Sequence, residues 1–159
     1  MQKDYKIIVA YDEKNGIGKD LLIPWYFPED LKRVRELTLN QNIIMGYKTF
    51  KSIIDKIGKP LPKRNSIVLS KKIKELNYEN TLLFDDYNNI LEKIDSGWIF
   101  GGGEIYNLFL PYCHEIYATE VKGDYDCNIF FPKLDLNIWK IAEKEDKNDF
   151  SYVKYVLNF

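Results

Sequence analysis

The sequence predicts an α/β fold: a single domain on a mostly parallel central sheet of about eight strands, with an antiparallel C-terminal edge and about four flanking helices. Three observations predict it. Short, nearly continuous apolar runs recur at 7–10, 43–45, 67–69, 82–84 and 98–100, and such runs fit strands covered on both faces. Helical patterns lie between them, as right-handed crossovers in a parallel sheet require. In the C-terminal third, 114–121, 139–144 and 150–157 alternate apolar with polar residues and lack intervening helices, which predicts antiparallel strands at one edge.

The elements follow in order. After the first strand comes the loop Asp12-Glu13-Lys14-Asn15-Gly16-Ile17-Gly18-Lys19-Asp20. It reads either as a plain strand-to-helix connection or, being longer than usual, as a lid. Pro28 marks the first turn of a helix at 28–39, where proline is tolerated. At about 100° per residue from Val34, the residues Phe27, Leu31, Leu37 and Thr38 fall within about 60°, and Asp30 within about 40°. A carboxylate on that apolar face needs a partner, because burial penalises its charged form. A cationic or hydrogen-bond-donating ligand is one candidate. The other reading is an acid complementing the helix dipole.

Helices at 49–57, 86–94 and 104–110 complete the set of four. Lys71-Lys72-Ile73-Lys74, after the third strand, reads as a solvated loop. Gly101-Gly102-Gly103-Glu104 follows a buried strand and opens a helix. Glycines there let backbone N–H groups approach an anion, and a tight packing turn is the alternative.

Composition excludes several classes. The chain has 159 residues, 45% hydrophobic and 15% aromatic, with a formal net charge of −1, enough for one sizeable core. That balance indicates neither a nucleic-acid nor a membrane partner. Cys113 and Cys127 form no disulfide framework, and with the single His114 they have no metal-ligand spacing, so no metal is expected. The start, Met1-Gln2-Lys3-Asp4 and a short apolar run, does not read as a signal peptide, and no stretch suits a bilayer; a cytoplasmic protein is expected.

Read together, the pieces resemble the dihydrofolate reductases over nearly the whole chain. In order they are Ile8-Val9-Ala10 with Asn15-Gly16-Ile17-Gly18, Ile23-Pro24-Trp25, Phe27-Pro28-Glu29-Asp30-Leu31, Ile44-Met45-Gly46 with Lys48-Thr49-Phe50 and Ser52-Ile53, Pro60-Leu61-Pro62 with Arg64-Asn65, Phe100 to Tyr106, and Phe131-Pro132. The resemblance implies one such domain over 1–159, with an adenosine-binding subdomain at about 41–95. It implies NADPH-dependent reduction of 7,8-dihydrofolate to tetrahydrofolate, hydride going to C6 of the pterin and a proton to N5. A small-molecule substrate, a monomer and a cytoplasmic setting go with it.

The resemblance also implies roles. Asp30 would hydrogen-bond the pterin's 2-amino group and N3, a charge-assisted two-point contact that orients the ring. Thr119 would support the same amino group, and Ile23 and Trp25 fall with the catalytic residues, Ile23 at the tip of the lid. Ile8, Leu31, Val34, Ile53, Leu61 and Phe100 resemble the pocket walls, and Arg64, helped by Lys59, the grip on the substrate's α-carboxylate. Ala10, Ile17 and Gly18 correspond to contacts with the nicotinamide half. Gly46, Lys48 and Thr49 correspond to a phosphate site, and Gly101, Gly102, Gly103, Glu104, Ile105 and Tyr106 to the pyrophosphate turn, with a cis bond at Gly101-Gly102.

Three departures stand out. Tyr47 occupies the place of an arginine that contacts the adenosine 2'-phosphate, and Leu69, Ser70, Lys71 and Lys72 are the nearest replacement. Ile23 replaces a methionine of some members. Cys127-Asn128-Ile129 replaces a more acidic stretch that pairs with the lid. A pteridine or riboflavin-pathway reductase on the same fold would have no use for Asp30, Thr119 and Arg64 together. A nucleotide-binding module without catalysis would bind cofactor through the glycine turn alone.

Overall fold

The structure, a computed structural model, describes residues 3–19 and 23–159. Asp20, Leu21 and Leu22 of the predicted lid, and Met1 and Gln2 of the start, lie outside the described residues. Eight strands form the main sheet: β1 (Asp4–Tyr11), β3 (Asn42–Gly46), β4 (Asn65–Leu69), β5 (Thr81–Phe84), β6 (Ser96–Gly101), β7 (Cys113–Val121), β9 (Trp139–Asp146) and β10 (Phe150–Leu157), in spatial order β5-β4-β3-β6-β1-β7-β10-β9. Among the described residues four helices flank it: α1 (Pro28–Thr38), α2 (Tyr47–Ile57), α3 (Tyr87–Lys93) and α4 (Gly103–Phe109).

The apolar runs are continuous because each strand feeds two cores. Ile7, Val9, Ile44, Ile67 and Ile99 pack with Ile90 of α3 and with Ile105, Tyr106 and Phe109 of α4. Their neighbours Ile8, Ile43, Met45, Val68 and Trp98 turn the other way, onto Val34 and Leu37 of α1 and Phe50, Ile53 and Ile54 of α2. Successive side chains of a strand point to opposite faces, so a strand covered twice has no polar side.

From β5 to β7 all neighbouring strands run parallel. The predicted antiparallel edge is carried by β10, which opposes both β7 and β9. β7 itself runs parallel to β1, because α4 and a single 3-10 turn (Leu110–Tyr112) precede it and make β6-α4-β7 a crossover. The strand expected at 114–121 thus joins the antiparallel edge through β10, while its alternation does not report that it also runs parallel to β1.

The resemblance placed 127–129 against the lid but implied no strands there, and the structure has a second, two-stranded sheet at this place. Within the expected lid, β2 (Gly16–Gly18) pairs antiparallel with β8 (Ile129–Phe130). The buried Asp12 carboxylate fastens this sheet to the core: Oδ1 accepts from the amides of Lys14 at 2.9 Å and Gly16 at 2.8 Å, and Oδ2 from that of Tyr125 at 2.9 Å. A Cβ on Gly16 would stand 2.4 Å from that of Cys127, so only glycine lets the two loops touch.

Candidate active site

Parallel sheets gather function at their carboxyl ends, and Ala10, Gly46, Leu69, Gly101 and Thr119, for which the sequence predicted a site role, each lie late in their strands. There a cleft of about 370 Å³ opens, lined by Ala10, Ile17, Gly18, Ile23, Trp25, Lys48, Thr49, Ser52, Phe100, Gly102, Gly103, Glu104, Ile105, Tyr106 and Ile129. All but Ser52 and Ile129 are residues for which the sequence predicted a site role.

Two backbone features shape the cleft. Gly101 has φ +104°, and a Cβ there would lie 2.7 Å from the Tyr106 ring. The bond from Gly101 to Gly102 is cis, as the resemblance implied. At Gly102 a Cβ would meet nothing within 4 Å, so its backbone borders open space. Tyr106 braces the turn by donating to the carbonyls of Ile8 and Phe100, both at 2.9 Å. Across the cleft α2 begins without a side-chain cap, so no side chain at the cap takes up the amides of its first turn, which contains Lys48 and Thr49. A narrow, glycine-walled cleft between such a turn and an uncapped helix start suits the phosphates of a dinucleotide.

Asp30 sits on α1 beside the sheet. Thr119 Oγ1 donates to its Oδ1 at 2.7 Å. Burial raises the Asp30 pKa above the ordinary carboxylate value; the Thr119 bond and nearby Arg33 oppose the rise, and Glu29 adds to it. The inward face predicted for α1 therefore holds for Asp30, Val34 and Thr38. Leu31, predicted with them as a wall, is 48% exposed and stands outside the packed cluster. The other walls, Ile8, Val34, Ile53, Leu61 and Phe100, share one cluster.

Arg64 is buried rather than solvated. Its Nε donates to Thr38 Oγ1 at 3.1 Å, one terminal nitrogen to the Pro62 carbonyl at 2.7 Å, and the other to the Arg35 carbonyl. Three of the five N–H groups of a guanidinium are thus committed, and two remain for an anion. Lys59 is exposed. Tyr47 packs at the edge of the second core. Ser70 Oγ accepts from the amides of Lys72 and Ile73 at 3.3 and 3.2 Å, a turn that leaves Lys71 and Lys72 exposed at the end of β4.

Around the acid, sequence reasoning missed Arg33 and Tyr152. Arg33 lies with Cζ 3.9 Å from the centre of the Tyr152 ring. Tyr152 pairs with Thr119 across β10 and β7. Arg33 shares the helix side of Asp30 by its i+3 spacing, a signal that only a known partner strand makes readable.

A family-wide sequence model described as dihydrofolate reductase matches residues 4–159. The chain belongs to the dihydrofolate reductase family. Among curated dihydrofolate reductases, that of Haemophilus influenzae is 38% identical over 144 residues, covering 89% of this chain and 86% of its own length. That of Staphylococcus haemolyticus is 32% identical over 158 residues, covering 94% and 92%. A solved dihydrofolate reductase from Enterococcus faecalis, complexed with NADP(H) and RAB-propyl, superposes with a TM-score of 0.86 at 27% identity, covering 100% of this chain and 99% of its own. A dihydrofolate reductase acts on a small molecule, and among the described residues no helix is long and apolar enough to cross a membrane.

Proposed function

We infer that this chain reduces 7,8-dihydrofolate to 5,6,7,8-tetrahydrofolate with NADPH, and that Asp30 and Thr119 form the centre that binds and polarises the pterin. The observation that carries the assignment is the short bond from Thr119 to a carboxylate that burial holds toward protonation, beside a cleft suited to a dinucleotide. When bound, NADPH supplies the hydride for C6.

Asp30 accepts from the pterin's 2-amino group and N3, and this two-point contact fixes the ring's orientation. Its second task is to polarise the ring so that N5 takes a proton from water, for which a raised pKa is suited. Ile8, Val34, Ile53, Leu61 and Phe100 keep water from the ring and so strengthen its polar contacts, while Leu31, Ile23 and Trp25 border the opening. The two uncommitted N–H groups of Arg64 hold the α-carboxylate of the substrate's tail, with Lys59 at the rim.

Ala10, Ile17 and Gly18 meet the nicotinamide half. Gly46, Lys48, Thr49 and the turn from Gly101 to Tyr106 hold the phosphates. Leu69, Ser70, Lys71 and Lys72 take the adenosine 2'-phosphate in place of the arginine that Tyr47 replaces, within a cofactor-binding portion spanning about 41–95. The protein acts in the cytoplasm as a monomer of 18.9 kDa with no nucleic-acid partner.

The test follows loss of reduced-nicotinamide absorbance with dihydrofolate, comparing NADPH and NADH. Turnover favouring NADPH is expected, with the preference reduced in a Lys71→Ala/Lys72→Ala variant. Absence of turnover overturns the reading, and an unchanged preference overturns the role of the two lysines.

A further inference from the structure

Tyr152 has no task in the scheme above, yet it stands beside the acid. Its side chain lies on the α1 side of β10, opposite Thr119 of β7, whose hydroxyl bonds Asp30. Directly paired residues of antiparallel strands share a face with Cβ atoms about 4.5–5.5 Å apart. The phenol therefore lies on the face of the sheet that α1 covers, near enough to Asp30 and Glu29 to feel their charge. Arg33 covers the ring from α1 at 3.9 Å, and Phe150 packs beside it with centroids 5.0 Å apart.

The residue is only 8% exposed, and its hydroxyl is sealed from solvent without a hydrogen-bond partner among the described residues. A buried hydroxyl without a partner is destabilising, and phenylalanine would fill the same space without that cost. Asp30, for its part, has one oxygen held by Thr119 and the other held by none of the described residues. Two polar atoms of complementary kind, a donor and an acceptor, are thus left over in the layer between α1 and β10.

We propose that Tyr152 is a positioning residue for the pterin-binding acid, its hydroxyl donating through one bound water to the Asp30 oxygen that Thr119 does not hold. The proposal rests on the assignment of Asp30 made above. A donor so placed stabilises the ionised carboxylate and fixes its plane. Burial, then the neighbouring Asp30 and Glu29, hold the Tyr152 ionisation above the usual phenol range, so the group remains a donor throughout the working range.

The other charged and titratable groups facing the acid are few. From α1, Arg33 favours its charge and Glu29 opposes it. From the turn between β9 and β10, Lys147 is engaged by Glu29 at 3.2 Å and Glu145 at 2.9 Å. From β7 comes Tyr117, with the Arg33 guanidinium 5.9 Å from its ring. Tyr152→Phe leaves all of these in place.

The test is Tyr152→Phe, read as the pH profile of hydride transfer and as the carboxyl ¹³C titration of Asp30 in the ligand-free protein. Loss of the donor should raise the Asp30 pKa further, by about half a unit, or about threefold in the proton equilibrium. The limb of the rate profile should move to higher pH, while Tm stays equal to wild type or rises. A titration and profile that superimpose on wild type overturn the proposal, as does a lowered Tm with both unmoved. Asp30→Asn turning over as fast as wild type would sink the assignment of Asp30 instead, and the carboxyl titration would still decide the role of Tyr152.

Discussion

Asp30 concentrates the conflict between stability and function in one side chain. Burial raises its pKa in the folded protein above the unfolded value. The folded state therefore binds the proton more tightly, and stability linked to this carboxyl is full below the unfolded pKa and declines as pH rises through the folded one. Asp30→Asn keeps an acceptor for Thr119 and removes the charge. The variant should be more stable than wild type at neutral pH, with the difference shrinking in acid, as paired thermal melts at two pH values would show. Its hydride transfer should fall about a hundredfold or more near neutrality and less in acid, where the substrate arrives protonated. Arg64→Ala should raise KM for dihydrofolate with kcat little changed, since the tail contact is the same in ground and transition states. It should also cost about 2 kcal/mol through the stranded Thr38, Pro62 and Arg35 acceptors, or about 4–8 °C in Tm. A variant with normal KM would remove Arg64 from the substrate site. Asp30 was legible in the sequence because a helix has one period and an acid on its apolar face violates it. Arg33 and Tyr152 were not, because their meeting depends on which strand lies under α1, and local periodicity carries no such information.

Among the elements, the long helices and buried strands were readable because their apolar patterns span several turns or the whole strand. The pairing of β2 with β8 was not, since three residues against two are too few for a period to register. Backbone bonds join the pair, from Asn128 to Gly18 and from Phe131 to Asn15, and beside it one buried carboxylate accepts three backbone amides. Asp12→Ala would leave those amides unpaired and free the lid from the Tyr125 loop. Trypsin should then cleave after Lys14 and Lys19 several-fold faster, with hydride transfer slowed and the main sheet's melting little altered. Unchanged cleavage would show that the clasp does not hold the lid. The direction of β7, parallel to β1, carries the same lesson: alternation reports that one face is less apolar, and only the preceding crossover helix reports direction.

The whole molecule joins a sheet half built from β3, β4 and β5 to one built from β1, β7, β10 and β9, with β6 between. The cleft lies along that join, so a dinucleotide bound there ties the halves together and stabilises the fold by mass action. Saturating NADPH, at about a hundred times Kd, should add about 2.7 kcal/mol and raise Tm by about 5–10 °C. No shift at any concentration would contradict the cofactor reading. The parallel core and its order of layers were legible from the alternation of runs and helices, while the return of β10 between β7 and β9 follows from long-range pairing that no local pattern encodes. That return has a consequence for synthesis. Thr119 leaves the ribosome well before Tyr152, and residues emerge in chain order, so a nascent polypeptide carries its acid on an unfinished wall. An antifolate or a folate offered to stalled chains should be retained only once the stall lies far enough downstream for β10 to clear the exit tunnel.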